Sequence, residues 1–159
     1  MALQEELKLK QPLASLNHEA LLSLVRTASL MQKVSDRFFS RFGLTDTQFN
    51  ILMILSEHRE AGLSQQGLSE HLIVTKSNVV GLIDRLENSG YVSRNPHPTD
   101  RRFNQVVLTR KGERLVDRVQ ESYFREVDKM MNVLSTSEKR AVIKAMERIR
   151  KYVRETRIE

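Results

Sequence analysis

The chain has 159 residues, of which 40% are hydrophobic and 29% are charged, a balance typical of one or two small folded domains. It contains no cysteine, which excludes disulfides, thiolate zinc sites and thiol-based oxidation sensors. The formal net charge of +6 favours a polyanionic partner, with nucleic acid the first candidate and an anionic membrane surface the second.

The sequence carries no signal for membrane insertion, secretion or metal binding. No apolar run approaches the roughly 18 residues that a membrane span needs, and the N-terminal residues lack the basic and apolar regions of a signal peptide. The four histidines, at positions 18, 58, 71 and 97, are scattered, and none has the i, i+4 spacing of a helical metal pair. We therefore expect a cytoplasmic protein without a metal ion or other cofactor; a metal site assembled from separate elements is the alternative.

The N-terminal region is predicted to form an arm followed by a long helix. Five leucines surround Pro12 in the first 16 residues, a pattern that favours an arm packed on another surface. Asn17 is positioned to cap a helix that runs to about Ser40, and Gly43 ends it. The apolar face of this helix consists of Leu21, Leu24, Val25, Ala28, Met31 and Phe38.

Two shorter helices follow. Thr45 and Gln48 form a capping box that opens the first, which runs through about His58 and has a core stripe of phenylalanine and leucine. Ser64 starts the second, a short helix with the sequence SQQGLSEHL.

A fourth helix has the sequence KSNVVGLIDRLENS. Thr75 is its predicted N-cap, and Gly90 is the glycine that closes it. Val79 and Leu86 are predicted to face inward, together with either Leu82 or Ile83.

The remaining sequence predicts a β-hairpin and two more helices. The segments YVSRN and NQVVLT are predicted strands, joined by a turn at 96–103. From Thr109 a helix runs to about Leu134, and Ser135 with Glu138 forms a second capping box. The last helix carries a heptad-like apolar seam of Val142, Met146, Ile149 and Val153.

This order predicts a mostly α fold with a small β-hairpin wing. Residues 45–109 have the layout of a winged helix-turn-helix domain. Residues 1–44 would form an N-terminal arm and first dimerisation helix, and residues 110–159 the C-terminal dimerisation helices. These outer helices carry more apolar surface than one small domain needs, which predicts an obligate homodimer with interleaved terminal helices; a single larger helical core is the alternative.

The outward face of the fourth predicted helix combines short hydrogen-bonding side chains with cations. Its members are Thr75, Lys76, Ser77, Asn78, Val80, Gly81, Asp84 and Arg85. A helix in the major groove places its N-terminal residues against base edges, where asparagine suits adenine and serine or threonine suits several bases. Glycine on this face permits a close approach of the backbone to DNA. A solvated polar face is the alternative interpretation.

Positive charge is concentrated in the same part of the chain. Residues 74–114 hold eight cations and four anions, so they account for +4 of the net +6. The eight cations are Lys76, Arg85, Arg94, Arg101, Arg102, Arg110, Lys111 and Arg114. This concentration favours DNA contact through the fourth helix and the hairpin.

Asp100, Arg101 and Arg102 stand together at the predicted hairpin tip. An unpaired carboxylate facing phosphates would be repelled, so we expect Asp100 to pair with the arginine two residues along and to fix the direction of its guanidinium. An arginine held in this way suits the minor groove, and the other arginine suits a phosphate. An exposed turn with a local salt bridge is the alternative.

The segment NVVGLIDRLENSGYVSRNPHPTDRRFNQVVLTRKG resembles the signature region of the MarR-type (multiple antibiotic resistance) regulators. The matching parts are the helix ending in RLENSGYV, the DRR tip, and LT followed by Gly112, and the flanking helices fit from about residue 17 to 155. The resemblance implies a homodimer that binds double-stranded DNA at pseudo-palindromic operators, with Arg102 in the minor groove and Asp100 bracing it. Gly81 stands where many members carry a longer polar or basic residue.

The helix positions, the charge and the resemblance together give a set of predicted DNA-binding residues. They are Ser64, Gln65, Thr75, Lys76, Ser77, Asn78, Gly81, Arg85, Arg94, Asp100, Arg101 and Arg102. The sequence contains no nucleophile motif or glycine-rich phosphate loop, so we do not expect an enzyme. The basic last helix interleaves acidic residues, so we do not expect a membrane-surface protein either.

The resemblance further implies a small aromatic or phenolic effector, bound in a crevice between the DNA-binding domain and the dimerisation helices. The predicted effector-binding residues are Phe38, Phe42, Phe49 and Met53, with Phe39 and Phe124 as further candidates. Simple core packing is the alternative for each of them. We expect a dimeric transcriptional repressor that such an effector releases from DNA; an architectural winged-helix DNA-binding protein without an effector is the alternative.

Overall fold

The computed structural model describes residues 3–72, 79–96 and 104–156. The helices and strands, in chain order, are α1 Leu3–Glu6, α2 Leu16–Ser40, α3 Asp46–Glu57, β1 Leu63–Ser64, α4 Gln65–His71, α5 Val79–Asn88, β2 Val92–Pro96, β3 Asn104–Leu108, α6 Arg110–Met131 and α7 Thr136–Glu155. The fold is therefore mostly α-helical with a small antiparallel sheet, which confirms the predicted fold class.

The long helix α2 begins earlier than predicted. Its N-cap is Ser15, whose hydroxyl oxygen accepts a hydrogen bond from the His18 amide at 3.2 Å, so the prediction that Asn17 caps the helix is wrong. Serine and asparagine cap helices about equally well, and the extended backbone at Ser15 decides between them here. At the other end, Gly43 has a φ of +67° and its amide bonds to the Ser40 carbonyl, which confirms this glycine as the helix end.

The N-terminal arm is attached to α2 by an ion pair. Glu6, the last residue of α1, accepts a hydrogen bond from Arg26 Nε at 2.6 Å, and about a third of each side chain is exposed. An ion pair this open to solvent contributes about 1 kcal/mol or less. The arm is therefore held only weakly by this contact.

Both predicted capping boxes are confirmed. In α3 the Thr45 hydroxyl accepts from the Gln48 amide at 3.2 Å, and the Gln48 side chain accepts from the Thr45 amide at 2.9 Å. In α7 the Ser135 hydroxyl accepts from the Glu138 amide at 3.3 Å, and the Glu138 carboxylate accepts from the Ser135 amide at 2.7 Å. Each box satisfies helix N–H groups that have no partner within the helix.

The sheet has three strands in the order β1-β3-β2, all antiparallel. The hairpin of β2 and β3 was predicted, and its register places Val92 opposite Leu108. The sequence prediction missed β1, in which Leu63 pairs with Val106 and Ser64 pairs with Gln105. A strand of two residues is too short to show alternation and exists only through its pairing with β3.

The described residues fall into two compact units, Met1–Val116 and Asp117–Glu159. The core of the first consists of apolar side chains from α2 to the start of α6, with Phe39, Ile51, Leu52, Leu55, Leu68, Ile83, Leu86, Val92, Val106 and Val116 under 2% exposed. Each such side chain contributes about 1.5–3 kcal/mol through burial. Ile83 takes the inward position that the sequence left open between Leu82 and Ile83, because Leu82 is only half-buried.

In the second unit α6 ends at Met131, three residues before the predicted end at Leu134, so that boundary is wrong. The Leu134 amide bonds to the Met131 carbonyl at 3.1 Å in a tight turn. The turn is needed because Ser135, the N-cap of α7, takes an extended conformation that continuous helix would not allow.

Two helices expose long apolar faces. In α2, Leu21, Val25 and Val34 are each more than half exposed; in α7 the exposed apolar side chains are Val142, Ile143, Ile149, Tyr152 and Val153. Soluble proteins rarely leave apolar patches of this length open to water. Within the described ranges, no helix combines the length and apolar character that crossing a membrane requires.

Candidate nucleic-acid interface

The structure describes five of the twelve predicted DNA-binding residues. These are Ser64, Gln65, Gly81, Arg85 and Arg94. The other seven, Thr75, Lys76, Ser77, Asn78, Asp100, Arg101 and Arg102, lie outside the described residues, in the segments 73–78 and 97–103. The structure thus describes three parts of the predicted interface: α4, the two strands of the hairpin, and α5, which is most of the predicted fourth helix.

Helix α5 has one buried face and one exposed face. Val79, Ile83 and Leu86 recur at spacings of four and three and are 6%, 0% and 1% exposed, which fixes the rotation of the helix on the core. On the opposite side Arg85 is exposed and Val80 is 54% exposed. Val80 was placed on this face from the sequence but was not among the predicted DNA-binding residues.

The end of α5 is set by Gly90, which has a φ of +73°. Its amide bonds to the Glu87 carbonyl at 2.8 Å, and the Tyr91 amide bonds to the Leu86 carbonyl at 2.9 Å. These two bonds form a Schellman motif, which needs a left-handed residue that glycine adopts without strain. The motif turns the chain from α5 directly into β2.

Ser64 and Gln65 lie where β1 meets α4. The Ser64 hydroxyl accepts a hydrogen bond from the Gly67 amide at 3.0 Å, which makes it the N-cap of α4. The Gln65 carboxamide, with its oxygen turned toward Arg94, accepts from Nε at 3.0 Å and from Nη2 at 3.2 Å. Both side chains are therefore engaged in contacts within the domain.

Arg94, in the middle of β2, lies at the centre of an ionic cluster with Asp84, Glu87 and Gln65, called here the Arg94 cluster. Its Nη2 donates to Asp84 at 2.5 Å, and its Nη1 donates to Glu87. The second Glu87 oxygen accepts from the Arg94 backbone amide at 3.0 Å. The Arg94 side chain is 19% exposed, which is low for an arginine near a protein surface.

The charge of Arg94 is stabilised by this cluster. Burial opposes the charged form of the guanidinium, but hydrogen bonds and attraction from Asp84 and Glu87 outweigh burial, so the pKa of Arg94 is raised above its ordinary value. The cluster links side chains that are ten and seven residues apart in sequence. This arrangement could not be predicted from the sequence, because Arg94 comes to lie beside α5 only through the register of β2.

The start of α6 is joined to the end of α5. The Thr109 hydroxyl donates to the Gly90 carbonyl at 2.7 Å and accepts from the Gly112 amide at 3.1 Å, and the Thr109 amide bonds to the Tyr91 carbonyl at 3.0 Å. A Cβ at Gly112 would overlap the Tyr91 carbonyl. These contacts explain two parts of the family resemblance. The Thr109 hydroxyl bonds α6 to the chain after α5, and the absence of a side chain at Gly112 leaves room for the Tyr91 carbonyl.

Lys111 adds a cation to this junction. Its ammonium group donates to the Ser89 carbonyl at 2.8 Å and lies 4.8 Å from the centre of the Tyr91 ring. A cation beside the last carbonyl groups of a helix interacts favourably with the helix dipole. Lys111 therefore stabilises the C-terminal end of α5 from outside that helix.

Four of the predicted effector residues, Phe38, Phe39, Phe42 and Phe49, form an aromatic cluster in the first unit. The ring centres of Phe38 and Phe42 are 5.3 Å apart, and Phe39 lies 5.0 Å from Phe38 and 4.8 Å from Phe49. Phe38 and Phe49 are buried, at 8% and 3% exposed, whereas Phe42 and Met53 are half-buried. Phe124 belongs to the second unit and is 48% exposed.

The structure also brings two histidines together. The rings of His58, at the end of α3, and His71, at the end of α4, lie 5.4 Å apart, which the sequence spacing did not indicate. In the part of the chain that the structure describes, no group of three or more potential ligands could hold a metal ion.

Comparison with known proteins gives a consistent result. A model of the MarR family matches residues 44–103. The HTH-type transcriptional repressor YetL of Bacillus subtilis is 31% identical over 128 residues, which cover 80% of this chain and 77% of YetL.

Solved structures agree in fold. AbsC, a MarR family transcriptional regulator from Streptomyces coelicolor, superposes with a TM-score of 0.80 at 23% identity, over 92% of this chain and 100% of AbsC. BpsR of Bordetella bronchiseptica superposes with a TM-score of 0.72 at 20% identity, over 86% of this chain and 93% of BpsR. That structure concerns the regulation of BpsR's DNA binding by 6-hydroxynicotinic acid. The match to the MarR family model and the 31% identity to YetL show that this chain belongs to the MarR family of DNA-binding transcriptional regulators.

Proposed function

We propose that this regulator is a homodimeric repressor that binds a pseudo-palindromic operator and is released from it by a small aromatic or phenolic anion. In this proposal residues 45–109 read the DNA, while residues 1–44 and 110–159 hold the two copies together. The observation that carries the dimer is the pair of apolar faces that α2 and α7 expose to solvent.

The apolar faces support self-association on energetic grounds. Val25 and Val34 of α2 and Ile143 and Val153 of α7 are each more than half exposed. Burying apolar surface contributes roughly 25 cal/mol per Å², so covering two such helices is strongly favourable. A second copy offers the same two faces, as the self-complementary interface of a two-fold dimer requires.

On DNA, the proposed major-groove reader is the helix that contains α5. Asn78 is suited to adenine, and Val80 offers an exposed apolar contact for a thymine methyl group. Arg85, exposed on the same helix, suits a phosphate. The wing adds Arg102 in the minor groove with Asp100 bracing it, and a two-fold dimer places the two readers about 34–36 Å apart.

Two further observations support repression and release. YetL, at 31% identity, is a transcriptional repressor by name. Phe42 and Met53, the half-buried members of the predicted effector set, leave part of their side chains accessible to a ligand, and the DNA binding of BpsR is regulated by 6-hydroxynicotinic acid. The relatives are named as transcriptional regulators, which supports a role without catalysis.

Fluorescence anisotropy tests the proposal. Labelled DNA from upstream of the protein's own gene is compared with scrambled DNA over a salt series, and 6-hydroxynicotinate or a hydroxybenzoate is then titrated into the complex. Tight, salt-sensitive, selective binding that the aromatic anion reverses is the expected result. Equal affinity for both DNAs, with no effect of any anion, would favour the architectural alternative.

A further inference from the structure

The Arg94 cluster connects three elements of the DNA-binding domain. Arg94 belongs to the wing strand β2, Asp84 and Glu87 belong to α5, and Gln65 is the first residue of α4. The hydrogen-bonding capacity of the guanidinium is largely used within the domain, since Nε, Nη1 and Nη2 each have a partner there. These contacts engage four of the five N–H donors, so a two-pronged phosphate contact would require that one of these partners is displaced.

The charge of α5 explains why such a cluster is needed. Val79–Asn88 contains two anions, Asp84 and Glu87, and one cation, Arg85, so this part of the helix has a charge of −1. When the positive charge of Arg94 is included, the net charge of α5 and Arg94 together is zero. A helix that enters a groove lined by phosphates is repelled by uncompensated carboxylates, and the repulsion acts on binding even where the fold is intact.

We propose that Arg94 is a positioning residue for DNA binding, not a phosphate ligand: it neutralises Asp84 and Glu87 and fixes the wing strand and Gln65 against α5. The inference rests on DNA binding by this chain, and it reassigns a residue that the sequence placed among direct DNA contacts. Its role follows from the bidentate geometry of arginine, which a lysine cannot reproduce.

Neutral substitutions separate the two roles. Arg94→Gln leaves both carboxylates uncompensated, and we expect operator affinity to fall at least about tenfold while the slope of log Kd against log salt stays within about 0.3 of wild type. The triple variant Arg94→Gln, Asp84→Asn, Glu87→Gln removes all three charges together. We expect it to recover most of the affinity that Arg94→Gln loses, because no carboxylate is left uncompensated. A residual loss of up to about threefold is expected from the missing attachment of β2 and Gln65 to α5.

Two controls complete the design. Arg85→Gln removes an exposed cation of the same helix, and we expect the salt slope to fall by about 0.9, the value for one lost phosphate contact. Arg94→Lys retains the charge without the two-pronged geometry, and its affinity should lie between those of wild type and Arg94→Gln. Urea unfolding of every variant gives the folded fraction, to which each affinity is corrected.

Three results would overturn the inference. The first is a triple variant as weak as Arg94→Gln with a salt slope reduced by about 0.9, because Arg94 would then contact phosphate directly. The second is an affinity loss that disappears after correction for the folded fraction, and the third is an unchanged affinity of Arg94→Gln. Failure of the DNA-binding function is a different outcome, since wild type itself would then bind neither operator nor scrambled DNA.

Discussion

Replacing Gly112 with alanine should destabilise the junction between α5 and α6. The two elements approach each other at this glycine, where an added side chain would collide with the chain after α5. A Cβ at this position would lie 3.0 Å from the carbonyl carbon of Tyr91, closer still to its oxygen, and 3.1 Å from Cδ2 of Leu108. Contacts to a Cβ ordinarily begin at about 3.4 Å. The Tyr91 carbonyl is a backbone group, so relief requires that the chain itself moves.

The magnitude follows from three terms. Forcing an extra methyl group into a packed site costs about 1–3 kcal/mol. Moving the Tyr91 carbonyl also weakens its hydrogen bond from the Thr109 amide, now 3.0 Å, at a cost of about 1 kcal/mol. Alanine is favoured over glycine inside a helix by about 1 kcal/mol, which offsets part of this loss. The expected net destabilisation is therefore about 1–3 kcal/mol.

Urea unfolding followed by circular dichroism measures this change. Gly67→Ala in α4 is the matched control, because a Cβ there meets its nearest neighbour, Ser64 Oγ, at an ordinary 3.4 Å. The same substitution should therefore be neutral or stabilise by up to about 1 kcal/mol at this helical position. Equal effects at the two glycines, or a loss below about 0.5 kcal/mol at Gly112, would refute the reasoning.

Four further predictions concern the interface, the dimer and pH. By fluorescence anisotropy, Asn78→Ala should lose about 1–3 kcal/mol of binding free energy on the operator and less on random DNA. Equal losses on both DNAs would make Asn78 a residue that only positions the protein. Arg102→Ala should weaken operator binding several-fold and leave thermal stability unchanged. Ile149→Glu should shift the sedimentation coefficient toward that of the monomer. As a control, glutamate at an exposed polar position of α7 should leave the sedimentation coefficient unchanged. Hydrogen bonds from the Ser135 hydroxyl and amide lower the pKa of Glu138 from its ordinary 4.5, so its stabilisation of α7 is complete above that pH and is lost as pH falls through the lowered value. Urea midpoints of Glu138→Gln should therefore change less than those of wild type on acidification below about pH 4.5, and parallel curves would contradict this.

Local features of the fold were predictable because their causes lie within a few residues. The capping box of Thr45 and Gln48 is a contact across three positions, and Gly43 ends a helix through its own conformation. The mistaken cap at Asn17 shows the limit of such reasoning. Two residues of equal capping strength stood two positions apart, and the backbone conformation at Ser15 decided between them.

Features that depend on distant contacts were not predictable in the same way. Charge counting treated Arg94 as one more cation available to DNA, whereas the register of β2 places it between carboxylates of α5. Gly112 was recognised through the family resemblance, yet the reason for a glycine there is the Tyr91 carbonyl, 21 residues earlier. Strand β1 is a similar case, since Leu63 becomes a strand residue only by pairing with Val106.

The contacts around α5 limit how an effector could act on this regulator. Two ion-paired hydrogen bonds from Arg94, at about 1 kcal/mol each because both carboxylates are a third or more exposed, and two neutral bonds from Thr109, at about 0.5–1 kcal/mol each, hold α5 and the turn after it to β2 and α6. Detaching α5 would cost about 3–4 kcal/mol in these contacts, and about 1.5–3 kcal/mol more for each side chain, such as Ile83 or Leu86, that it withdraws from the core. Coupling free energies between a ligand and a second site are typically about 1–3 kcal/mol. Release from DNA by an aromatic anion is therefore expected to move the whole DNA-binding domain, with α5 fixed inside it, and to change the distance between the two domains of the proposed dimer.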